Sequence, residues 1–146
     1  MERYGVDMGV LLPSVTGTTN ETQAKLVDKY PDKFRACCSD QKLKIKVWRG
    51  GCEWTLEAAV EEVDAALKTG KYVGIGEFVP GAMGVRRKKP PTERERLDEY
   101  RKFANLAANY DVVLDFHEFA RMQILSRLSA EYPNVSFVLL HGGYSI

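Results

Sequence analysis

The chain has 146 residues, 45% of them hydrophobic, with 21 Lys+Arg against 20 Asp+Glu and a net charge of +1. That length suits one domain, residues 1–146, with a core of its own, and the charge balance gives no overall attraction to nucleic acid or to an anionic membrane surface. No run approaches the ~18 apolar residues of a membrane span, and the first residues lack the apolar stretch of a signal peptide. The three cysteines (Cys37, Cys38, Cys52) have no framework spacing, which favours reduced thiols in a cytoplasmic protein.

Residues 6–12 read as a buried strand, stopped by Pro13. Thr18 and Glu21 have the spacing of a capping box that opens a helix from about Asn20 to Tyr30, ended by Pro31. A short strand over 34–38 follows, then a long loop of mixed character over 39–54. An amphipathic helix is predicted over 56–68, with Leu56, Val60, Val63 and Leu67 on one stripe and Gly70 closing it. Residues 72–78 form the third strand, whose Gly74 and Gly76 mark a place where another element comes close to the backbone. After a loop over 79–91, Thr92 and Glu95 repeat the capping-box spacing and start a helix with Leu97, Tyr100, Ala104 and Ala107 on one face. Residues 112–116 make the fourth strand. A helix over roughly 119–132 offers Met122, Leu125, Leu128 and Tyr132 to the core, and 136–140 is the fifth strand.

Strands alternating with helices imply right-handed crossovers and a parallel sheet. In such sheets chemistry gathers at the carboxyl ends of the strands. Glu77, His117 and His141 stand at three of those ends, and the last two are the only histidines of the chain. A lone histidine at a strand end is usually structural or surface-exposed. Two at equivalent positions, with a carboxylate at a third, form the donor set of a shared metal or catalytic site, since neutral imidazole and carboxylate suit zinc and similar ions. Alternation puts Asp115 on the side of His117, either orienting a ligand imidazole or pairing with an Arg or Lys. Glu118 is placed to cap the next helix.

Other features have plainer expected roles. The run Arg86-Arg87-Lys88-Lys89 reads as a solvated charge run, with attraction of an anionic substrate as the alternative. Trp48 and Trp54 are expected to pack over the helix that starts near Leu56, with a lid as the alternative. Cys37 and Cys38 read as small buried residues rather than nucleophiles. A doubly wound, flavodoxin-like sheet is the architectural rival; against it, the loop after the first strand has no Gly-rich phosphate pattern.

The segments around Tyr4–Leu12, Lys29–Phe34, Val73–Glu77, His117 and Glu131–Gly143 together resemble the amidohydrolase superfamily, in particular its amidohydrolase-related TIM-barrel metal-dependent hydrolases. The order of elements is similar to the second to sixth strands of an eight-stranded barrel. The resemblance therefore implies an α/β fold that is a partial (β/α)8 barrel, with about five parallel strands. It also implies His117 as the fifth-strand metal ligand and His141 as the sixth-strand histidine, a second-metal ligand or a catalytic residue. Glu77 takes the place of a fourth-strand glutamate that some members use as a ligand. The family's first-strand His-x-His pair has no counterpart here, and its eighth-strand aspartate would fall after Ile146. A barrel of this kind usually needs ~250 residues, so a half-barrel completed by another chain, including a homo-oligomer, or a fragment is expected.

The activity so implied is hydrolysis of a small carbonyl-containing substrate by water activated at a divalent metal, Zn first, with Mn or Fe as alternatives. A decarboxylase or hydratase of the same family is the second reading, and a catalytically inert fragment or binding module with structural histidines the third.

Overall fold

Five short strands lie side by side in the order in which the chain makes them, all parallel: β1 (Gly9–Leu11), β2 (Phe34–Cys38), β3 (Gly74–Phe78), β4 (Val113–Phe116) and β5 (Phe137–Leu139). Between them run α1 (Asn20–Lys29), α2 (Gln41–Trp48), α3 (Leu56–Leu67), α4 (Glu93–Tyr110) and α5 (Met122–Glu131). The computed structural model describes residues 2–13, 18–78, 91–116 and 122–140. A doubly wound sheet reverses its strand order partway across. This one never does, and its curl is that of a partial (β/α)8 barrel.

One face of the sheet carries the core. The row Cys38, Ile75 and Leu114 is fully buried, with Leu11 and Ala36 on the same side and Phe137 packed against it. The helices meet this row with Ala59, Val63 and Leu67 from α3, Tyr100, Phe103 and Ala104 from α4, and Ile124 and Leu128 from α5. Each large apolar side chain buried here stabilises the fold by roughly 1.5–3 kcal/mol. The other face alternates with the first. It is open at its flanks, where Val10 is 56% and Val138 is 41% exposed.

Local signals explain most element boundaries. Thr92 and Glu95 make the predicted capping box at the start of α4. Gly70, with φ +70°, lies just past the end of α3, a conformation that costs glycine nothing. Three expectations are corrected. The first strand is not a buried run over 6–12: β1 spans three residues, and Val6 and Met8 are exposed because β1 is a sheet edge with one neighbour. The N-cap of α1 is Thr19, whose hydroxyl accepts from the Thr22 amide, while Glu21 turns to pair with Lys42 of α2. In α5 Leu128 is buried and Tyr132 packs against the core as expected, but the other fully buried residue is Ile124, Leu125 is only half-buried, and the side chain of Met122 lies outside the description.

The fourth correction is the largest. The expected loop over 39–54 contains α2. Its sequence, Gln41-Lys42-Leu43-Lys44-Ile45-Lys46-Val47-Trp48, alternates polar and apolar with the period of a strand. Its preceding residue, Asp40, makes no side-chain cap. The cap comes instead from α3: the two Glu62 carboxylate oxygens accept the amides of Lys42 and Leu43, each at 2.8 Å. Asp40, fully buried, pairs with Lys44 at 2.8 Å and accepts from Trp54 Nε1 at 2.7 Å. Trp54 therefore packs as expected over the start of α3, whereas Trp48 is 69% exposed.

Candidate active site at the strand ends

Glu77 is the next-to-last residue of β3, and Asp115 sits at the corresponding height of β4. The pairing register explains how they meet. Ile75 lies opposite Leu114 and Phe78 opposite Phe116, so Gly76 and Glu77 both face the single residue Asp115. This extra residue is a bulge, a device that re-aims a side chain at the rim of a sheet. The strand glycines mark it: a Cβ placed on Gly76 would lie 2.4 Å from Asp115 Cβ, 2.9 Å from Cγ and 3.0 Å from Oδ2. At Gly74 an added Cβ would meet Val113 Cγ2 at 2.6 Å and Cys37 Sγ at 2.7 Å. The close approach expected at these glycines is present at both.

Asp115 is 3% exposed, and its Oδ1 has no hydrogen-bond partner among the described residues. Burial, and then the negative charge of Glu77, push its carboxyl up to about 7. Burial and Glu77 are the two influences on the Asp115 carboxyl, with no Arg or Lys of the described residues among them. On the neighbouring strand Cys37 is buried on the same face. Burial, then the charge of Asp115, push its thiol up to about 12. Cys38 points into the helix-side core, and burial raises its thiol as well. Both cysteines are neutral packing residues, as expected, because a thiolate is the reactive form.

Of the predicted site residues, Glu77 is half-buried at the rim, while His117 and His141 lie outside the described residues, as do Glu118 and the basic run 86–89. Among the described residues no three or more His, Cys, Asp or Glu side chains gather into a metal-binding group. What the described chain provides is a pair of carboxylates on adjacent parallel strands at their carboxyl rim. Sequence alone pointed to both residues, but not to the bulge that sets them opposite each other. Its only trace is the pair of glycines in the third strand.

Parallel strands in barrel order, with acidic side chains at the carboxyl rim, place the molecule in the (β/α)8-barrel class. A family model described as amidohydrolase matches residues 2–145, and the chain belongs to that family. Comparison with curated proteins and with solved structures gives no match. The family is generally metal-dependent. The described residues fit a divalent cation in two respects: Asp115 Oδ1 is a buried oxygen ligand without a partner, and the carboxylate's other oxygen, Oδ2, lies against the side-chain-free backbone of Gly76. Carboxylate oxygens are ligands common to zinc, manganese and magnesium.

Proposed function

We propose that this chain carries part of a metal-dependent hydrolase centre of the amidohydrolase type, acting in the cytoplasm on a small carbonyl-containing molecule. The observation that supports it best is the carboxylate pair at the strand rim, where buried Asp115, one of its oxygens unpartnered, lies across from Gly76 and Glu77 of β3. In this reading Glu77, His117 and His141 are the metal ligands. A divalent ion, with zinc the first choice, supplies a lowered pKa for water and polarisation of the substrate carbonyl.

The remaining roles belong to the side chains. Where a single ion is held, His141 would not be a ligand and would instead exchange a proton with the water or the leaving group, which an imidazole suits near neutral pH. Asp115 holds a negative charge beside the ligands, stabilises the cation and orients the His117 ring. The neutral Cys37 and the side-chain-free backbone of Gly74 and Gly76 bring no competing charge to the floor of the site.

The test is metal content after purification, followed by His117→Ala. The expected result is close to one equivalent of Zn, Mn or Fe, lost in the variant while its far-UV circular dichroism is kept. Less than about a tenth of an equivalent in the wild-type chain, or an unfolded variant, makes the histidines structural instead. Assays for amide or ester hydrolysis and for carbon dioxide release then separate a hydrolase from a lyase.

A further inference from the structure

We infer that Gly76 is a positioning residue: its missing side chain is the cradle that holds the Asp115 carboxylate beside Glu77. The inference rests on the metal-centre reading above and adds to it a residue that touches no ligand. Both strand glycines are crowded, but by different kinds of atom. At Gly74 the two atoms under 3.0 Å are side-chain atoms, Val113 Cγ2 and Cys37 Sγ, which can turn, and the one backbone atom, Val113 O, stands further off at 3.2 Å, where a shift of a few tenths of an ångström accommodates it. At Gly76 the nearest atom is Asp115 Cβ, bonded directly to the β4 main chain and fixed by the hydrogen bonds of the sheet. No rotamer change relieves a 2.4 Å contact with a Cβ. The strands must part, or Asp115 must move, and either change takes its carboxylate away from Glu77. The bulge reinforces this, since Gly76 and Glu77 share one partner and the position of one sets the position of the other.

The experiment titrates the full chain with Zn²⁺ and with Mn²⁺ by calorimetry, for wild type, Gly76→Ala and Gly74→Ala, with a thermal melt of each. Both substitutions are expected to lower the melting temperature. Only Gly76→Ala is expected to weaken the ion, by about 10- to 100-fold, the usual effect of losing a group that orients a ligand. Gly74→Ala should stay within about three-fold of wild type. Equal affinity for wild type and Gly76→Ala overturns the inference and leaves the metal centre standing; no binding by wild type overturns both. If Gly76→Ala does not fold, Asp115→Glu decides. It keeps the charge but displaces the carboxylate from its cradle, so a ten-fold or greater weakening supports the inference and unchanged affinity refutes it.

Discussion

Glu62 lies in the middle of α3, yet it determines whether α2 exists. Its two oxygens accept the second and third amides of α2, which no residue of α2 or its N-cap satisfies through a side chain. Removing a helix N-cap costs about 0.5–2 kcal/mol, and a carboxylate acceptor strengthens such bonds. Two bonds, one exposed and one partly buried, place Glu62→Ala at roughly 2 kcal/mol. Burial raises the Glu62 carboxyl despite those two amides. Deleting the side chain therefore also relieves some desolvation, which keeps the loss below the sum of two buried charged bonds. Glu62→Gln retains one acceptor oxygen and should lose about half as much. Urea unfolding followed by far-UV circular dichroism measures both, with exposed Glu61→Ala as a control expected within ±0.5 kcal/mol. In a chain of this size Glu62→Ala corresponds to a fall of roughly 4–8 °C in melting temperature. Hydrogen exchange supplies the local readout: the Lys42 and Leu43 amides should lose protection first. A change under about 0.3 kcal/mol with protection intact would refute the capping argument.

Two further predictions concern the strand rim. The Asp115 carboxyl is raised to about 7, so its contribution to stability is complete at pH below the ordinary carboxylate range and is lost as pH rises through 7. In a chelator-treated sample, Asp115→Asn should remove that slope and exceed wild type at pH 8 by roughly 2–4 kcal/mol, read by urea unfolding at several pH values; parallel curves for the two proteins would contradict it. Among the cysteines only Cys52 is exposed. A thiol reagent at pH 8 should therefore label one cysteine per native chain and three in denaturant, and rapid native labelling of Cys37 would show that its burial has been misread.

Much of the fold was legible because its signals are local. The period of apolar residues, the Thr92–Glu95 box and the turn at Gly70 each act within a few residues, and together they dictate alternating strands and helices. The places of Glu77 and Asp115 near the ends of the third and fourth strands were legible for the same reason, because strand alternation and the carboxyl-end rule need no tertiary information. The short edge strand β1 was not, since its burial depends on how many neighbours pair with it. Nor was α2: its own residues favour a strand by period, and its cap is carried by Glu62, about twenty residues away.

The amino-acid order by itself determined a parallel α/β sheet, the family to which it belongs and the identity of Glu77 as a rim carboxylate. Tertiary structure decided which face of the sheet the described helices cover, that α2 is a helix, and that one additional residue in β3 sets Gly76 and Glu77 across from Asp115. The physical reason is separation along the chain. A cap, a strand register or a missing Cβ acts on whatever lies across from it, and only folding determines what that is.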